Sequence, residues 1–133
     1  MTRLFKVLGF DEGVQVCDCC GKGGLKGTYG IEMIETGEIL YYGSVCVTRN
    51  TGHPKKEINA FAKADLEERV KLARAEYRAT PEYAASVAKF TEARKLGVSP
   101  GVAHRDFVKE AADADHAVQI AIANKFRVPT YLM

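Results

Sequence analysis

The sequence lacks long hydrophobic runs and an N-terminal export signal. No stretch of about eighteen apolar residues occurs in the 133-residue chain, so no transmembrane helix is predicted. The opening MTRLFKVLGFDEG has neither the apolar core nor the small-residue cleavage site of a signal peptide. We therefore expect a cytoplasmic protein. In that reducing compartment its four cysteines are predicted to be free thiols or metal ligands rather than disulfides.

Catalytic motifs and a large net charge are also missing. No nucleophile elbow, kinase motif set or paired-carboxylate motif is present, so an enzyme would need a site that the sequence does not reveal. The stretch GKGGLKG does not follow the order of a phosphate-binding loop. The net charge of +2 is too small to indicate nucleic-acid binding by itself. Residues 1–54 contain five Lys/Arg and six Asp/Glu, whereas residues 55–133 contain fourteen and eleven, which is a weak asymmetry.

The first part of the chain has the alternating period and the turn residues of β structure. Residues 4–10 are predicted to form a strand that turns at DEG and returns through residues 14–16. A second hairpin is predicted from residues 28–35 and 39–43, joined by the turn TGE. This part of the chain is therefore expected to be built from two hairpins.

The second part of the chain has the period of amphipathic helices. Apolar residues recur at steps of three and four, which predicts helices over 55–78, 81–97 and roughly 100–126. Thr-Pro and Ser-Pro pairs mark the starts of the last two helices. The sequence thus predicts an α+β fold in which a β-rich cysteine module, residues 1–54, packs against a region of three α-helices, residues 55–133.

The cysteines have the spacing of a metal-binding knuckle. Cys17 and Cys20 stand as C-x-x-C followed by Gly21, and two thiolates so spaced in a tight turn can face one zinc ion at about 2.3 Å. Cys46 follows the second predicted hairpin and lies in a short helix that Ser44 is predicted to cap. A knuckle, a hairpin and a helix that returns a ligand form the order of a treble-clef zinc motif. We therefore predict a structural zinc site.

A closed structural zinc site needs a fourth ligand. Cys19 is one candidate, although it shares a turn with the other knuckle cysteines. His53 is the second candidate, because a helix that ends near Gly52 would let its ring turn back toward the knuckle. With the histidine, the predicted ligand set is Cys17, Cys20, Cys46 and His53.

Two other interpretations of the cysteines stay open. Cys46 can be a small buried hydrophobe, with apolar packing of Tyr41, Tyr42 and Met33 in place of a metal. Alternatively, the C-x-x-C pair can be a redox dithiol. The redox interpretation is disfavoured because the glycines that follow Cys20 do not start a stable helix.

The cysteine segment resembles a module of small phage and plasmid proteins. The pattern is V-C-x-x-C-G-K-x-x-L-K-x-T, a hairpin, and then Y-Y-G-S-x-C, over about residues 14–52. The positions that support the resemblance are Cys17, Cys20, Gly21, Lys22, Leu25, Lys26, Thr28, Gly43, Ser44 and Cys46. The proteins of this group are mostly uncharacterised, and the module is treated as zinc-ribbon-like or treble-clef-like. The resemblance implies a structural zinc ion and a phage or mobile-element protein.

The functional prediction is a small non-enzymatic binding protein. Its partner is predicted to be a nucleic acid or a nucleoprotein complex, contacted by basic residues of the knuckle and of the first long helix. These residues are Lys22, Lys26, Arg49, Lys71, Arg74 and Arg78. The resemblance to phage proteins implies an alternative, an inhibitor of a host defence complex of the anti-CRISPR kind that acts by protein–protein contact. An enzyme with an unrecognised site is the remaining alternative.

Overall fold

The computed structural model describes residues 3–99 and 101–133, and the chain divides into two compact units. The first unit is Met1–Glu68 and the second is Arg69–Met133. The elements, in chain order, are β1 (Phe5–Asp11), β2 (Thr28–Met33), β3 (Ile39–Tyr42), α1 (Ser44–Thr51), α2 (Lys55–Arg78), α3 (Pro81–Lys95), α4 (Val102–Phe126) and a 3₁₀ helix (Thr130–Leu132).

The predicted α+β class is confirmed, but the number of helices is not. The described residues form four α-helices rather than the three named in the predicted fold; the fourth is the short α1, the helix that was predicted around Cys46. None of these helices is long and apolar enough to cross a membrane. The predicted start of the third long helix at Pro100 lies outside the described residues; α4 itself begins at Val102.

The three strands form one antiparallel sheet in the order β1-β2-β3. The predicted hairpin between β2 and β3 is confirmed, with Tyr29 opposite Tyr42 at its open end. The predicted hairpin between residues 4–10 and 14–16 is wrong, because β1 pairs with β2 and residues 14–16 belong to no strand. The backbone there bonds within the knuckle instead, as in the hydrogen bond from Leu25 N to Gln15 O at 3.1 Å.

The core of the first unit lies between the sheet, α1 and the first half of α2. Its buried members are Phe5, Val7, Tyr29, Ile31, Val47 and Ile58. Ile58 is fully buried there, so the start of α2 shares the core of the sheet. The division between the two units falls inside α2, between Glu68 and Arg69.

A buried ion pair ties β1 to α2 within the first unit. The Arg3 guanidinium donates to both carboxylate oxygens of Asp65, at 2.8 and 2.7 Å. The same carboxylate accepts from the backbone N–H of Val7 at 2.8 Å, and Asp65 is only 4% exposed. Three charge-assisted hydrogen bonds therefore compensate the cost of burying this carboxylate.

The second unit is built from the second half of α2, the helices α3 and α4, and the 3₁₀ turn. The buried core residues are Ala73, Tyr77, Ile122 and Val128. The predicted start of α3 is confirmed, since Thr80 is its N-cap and its hydroxyl accepts from Tyr83 N. On α3, Val87 and Phe90 lie one turn apart and stay 49% and 39% exposed.

Candidate metal centre

The knuckle places the Cys17 thiol inside the protein. Its turn is closed by two backbone hydrogen bonds, from Cys17 N to Lys22 O at 3.0 Å and from Gly21 N to Cys17 O at 2.9 Å. Gly21 takes a φ of +71°, a left-handed conformation that glycine adopts without steric cost. Cys17 is 1% exposed, whereas Cys19 and Cys20 are exposed.

The first turn of α1 brings Cys46 back to the knuckle. The helix begins at Ser44 and has Gly43 as its N-cap, so the predicted cap at Ser44 is wrong by one residue. A Cβ built at Gly43 would make a tight contact of 3.3 Å with the Leu25 Cδ1 and an ordinary contact of 4.0 Å with the Cys17 Sγ. Glycine at this position therefore lets the start of α1 approach Leu25 of the knuckle loop closely.

Three sulfur atoms converge at this junction. The Sγ atoms of Cys17, Cys20 and Cys46 all lie within 4.8 Å of one another, and they form a group that can hold a metal ion. In a tetrahedral zinc–thiolate site the sulfurs are about 3.8 Å apart, which follows from a Zn–S distance of about 2.3 Å. The cluster therefore needs only a small contraction to meet this geometry. All four cysteines of the chain are free thiols.

Hydrogen bonding within the cluster favours a thiolate at Cys17. Burial of this thiol opposes its ionisation, but backbone N–H groups of Cys20, Gly43 and Cys19 donate to its sulfur, as does the Cys46 side chain. The balance lowers the pKa of Cys17 to about 7. A thiolate, rather than a thiol, is the form that binds a metal.

Cys46 is the protonated partner of this thiolate. Its hydrogen bond to Cys17, its burial, and its hydrogen bonds with the Cys20 and Cys19 thiols together raise its pKa to about 12. Cys46 thus interacts with every other cysteine of the chain. Sulfur ligands of this kind are the ones that a soft divalent cation prefers. Such a cation displaces the thiol protons when it binds.

Cys19 and His53, the two candidates for a fourth ligand, lie in different surroundings. The Cys19 Sγ accepts a hydrogen bond from Asn50 Nδ2 at 3.3 Å. The His53 ring is held by Glu57, whose Oε2 lies 2.8 Å from Nδ1. Neither the Cys19 sulfur nor the His53 ring belongs to the group of three converging sulfurs.

The basic residues predicted to contact a partner are distributed over both compact units. Lys22, Lys26 and Arg49 belong to the first unit and are exposed around the cysteine cluster on the knuckle and on α1. The others, Lys71, Arg74 and Arg78, belong to the second unit. The Arg74 side chain already makes an intramolecular hydrogen bond there, because its Nε donates to Leu132 O at 2.7 Å.

An aromatic cleft in the first unit was not predicted from the sequence. Its volume is about 540 Å³, and it opens beside Phe5, Phe61 and His53. The remaining lining residues are Arg3, Leu4, Met33, Asn50 and Thr51. Its aromatic walls come from a strand and a helix that are far apart in sequence, so no local pattern indicates it.

Comparison of the chain with protein-family models, curated proteins and solved structures finds no match. The resemblance of residues 14–52 to a phage-type cysteine module therefore remains a prediction.

Proposed function

We propose that the protein is a small non-enzymatic binding protein whose first unit is stabilised by a structural zinc ion. The observation that supports this is the convergence of the Cys17, Cys20 and Cys46 sulfurs within 4.8 Å, from two elements far apart in sequence. Thiolate ligands suit zinc better than magnesium or calcium, which take oxygen ligands. When bound, the ion would supply a cross-link between the knuckle and α1.

A structural role for the ion fits the surroundings of the cluster. Cys17 and Cys46 are buried, and α1 is only eight residues long, so it contributes little helix stability of its own. A cross-link from Cys46 to the knuckle holds this short helix against β2 and β3. Because the hydrophobic core of the first unit is small, a metal cross-link would contribute a large share of its stability.

We propose an anionic partner, a nucleic acid or the nucleic acid of a nucleoprotein complex, for the surface around the cluster. Lys22, Lys26 and Arg49 are exposed there, and none of the three forms an ion pair within the described part of the chain. Unpaired cations on a metal-fixed loop can contact successive phosphates without first breaking internal contacts.

Binding of a fluorescent single-stranded or duplex oligonucleotide, followed by anisotropy, tests this partner. With three phosphate contacts, affinity should fall between about 50 and 200 mM salt by about 40-fold for a duplex and about 20-fold for a single strand, because each contact releases counterions. The variant with Lys22→Gln, Lys26→Gln and Arg49→Gln should lose at least about tenfold in affinity and most of this salt dependence.

The matched control removes the same charge elsewhere on the first unit. Lys55→Gln, Lys56→Gln and Lys63→Gln change exposed residues of α2 and should leave the affinity within about twofold. An equal loss in both triple variants, or no binding by the wild-type protein at about 50 mM salt, would contradict the proposed nucleic-acid contact.

A protein partner is the second candidate, and the inhibitor of a host defence complex belongs to this class. The observation that favours it is the pair Val87 and Phe90, which share one face of α3 and stay half exposed. Absence of nucleic-acid binding at low salt, together with an intact metal site, would favour this candidate over the first.

A further inference from the structure

The three converging sulfurs leave one position of a tetrahedral site to be filled. A fourth thiol, that of Cys19 in the knuckle, accepts a hydrogen bond from a side chain of α1. Asn50 lies one turn after Cys46 on this helix. Its side-chain Nδ2 donates to the Cys46 carbonyl at 2.8 Å and to the Cys19 Sγ at 3.3 Å. One amide group therefore fastens Cys19 to the helix that presents Cys46.

The Cys19 thiol lies at the border of this cluster. Its Sγ is outside the group of three sulfurs that lie within 4.8 Å of one another, but the Asn50 amide that it bonds also bonds the residue that presents the Cys46 thiol. Cys19 is exposed, and its Sγ bonds to the Asn50 amide. An exposed side chain can change its χ1 rotamer, which moves its sulfur relative to the other three.

His53, in contrast, is held in place by contacts with residues other than the cysteines. Its ring packs at 5.0 Å from the Phe61 centroid and 5.9 Å from the Phe5 centroid, while Nδ1 bonds to Glu57. Bringing it to the sulfurs would break the hydrogen bond with Glu57 and the aromatic contacts together. It lines the aromatic cleft instead.

We propose that Cys19 is the fourth metal ligand, so that the site is a closed tetrathiolate centre made of Cys17, Cys19, Cys20 and Cys46. The inference rests on the proposed structural metal, and it excludes an open coordination position for substrate or water. The amide of Asn50 then donates to a metal-bound thiolate, which is the kind of outer contact that orients a ligand.

Cobalt(II) loaded in place of zinc reports the number of thiolates directly. The intensity of the sulfur-to-cobalt charge-transfer absorption per bound ion should fall by about one quarter in Cys19→Ser, since one of four thiolates is lost. Affinity for the ion, measured by competition with a chelator, should fall by at least about tenfold. His53→Gln should match the wild-type protein in both measurements.

Comparison of these variants distinguishes a wrong fourth ligand from the absence of a structural metal. Wild-type absorption and affinity in Cys19→Ser, with loss of cobalt binding in Cys17→Ser, would overturn the fourth ligand and leave the structural metal in place. A reduced intensity in His53→Gln would assign the fourth position to the histidine and overturn the inference. Absence of cobalt binding by the wild-type protein would contradict both.

Discussion

Cys17→Ser is expected to release the metal ion and to destabilise the first unit by about 5 kcal/mol or more. Structural zinc in small modules contributes an apparent binding free energy of about 10–16 kcal/mol near neutral pH, and loss of one ligand removes much of it. Cys17 is 1% exposed and accepts backbone hydrogen bonds from both sides of the junction. Serine at this position is a poor zinc ligand.

Amide hydrogen exchange measures this loss of stability element by element. Protection in β1, β2, β3 and α1 should fall to the level of a locally unfolded segment, and α3 and α4 serve as an internal reference within the same molecule. Excess chelator should reproduce the effect in the wild-type protein and should change the variant little, because the variant has already lost the ion.

Val47→Ala is the matched control for the loss of the cysteine. Val47 lies next to Cys46 on α1 and is fully buried, so its truncation should cost about 2 kcal/mol through lost packing while the metal stays bound. Protection in Cys17→Ser equal to that of the wild-type protein, with and without chelator, would contradict a stabilising metal.

Asp65→Asn is expected to lower the stability of the first unit by about 1–3 kcal/mol, because buried hydrogen-bond donors lose their acceptor while the Arg3 guanidinium stays partly exposed to solvent. An asparagine side chain has a single acceptor oxygen, so it cannot serve both guanidinium nitrogens of Arg3 and the amide of Val7. Its NH₂ group would also face these donors. Urea-induced unfolding followed by circular dichroism measures the loss.

The same carboxylate predicts how stability depends on pH. Burial of Asp65 opposes its ionisation, but hydrogen bonds from the Arg3 side chain and Val7 N, with the Arg3 charge, hold its pKa below the ordinary value. Because the folded-state pKa is depressed, the contribution to stability is fully present above the unfolded pKa of about 4. It should be lost as the pH falls from there through the folded-state pKa.

Asp113→Asn is the control for this buried pair. Asp113 accepts from Lys109 at 2.6 Å, but both side chains are about two-thirds exposed, so its replacement should leave the unfolding transition unchanged. Identical acid unfolding in Asp65→Asn and the wild-type protein would show that Asp65 does not contribute the predicted pH-dependent stability.

Local patterns in the sequence were sufficient to predict most of the secondary structure. The alternation on both sides of TGE predicted β2 and β3, and the Thr80–Pro81 pair predicted the start of α3. The partner of β1 was not predictable in this way. Residues 14–16 have strand-like composition, but the knuckle uses their backbone hydrogen bonds, and β1 pairs with a strand that follows the whole loop.

The candidate metal site was only partly predictable from the sequence. The C-x-x-C spacing and the position of Cys46 indicated which sulfurs converge, because a knuckle and a helix start have strong local signals. The choice between Cys19 and His53 depended on contacts with Asn50, Glu57 and Phe61, which only the tertiary structure brings together.

Zinc content of the purified wild-type protein, measured by mass spectrometry without added metal, tests the central claim most directly. The structure predicts about one zinc ion per chain, lost together with the protection of β1–β3 when a strong chelator is added. Fewer than about 0.2 zinc ions per chain in a folded protein whose hydrogen exchange is unaffected by chelator would contradict the structural metal.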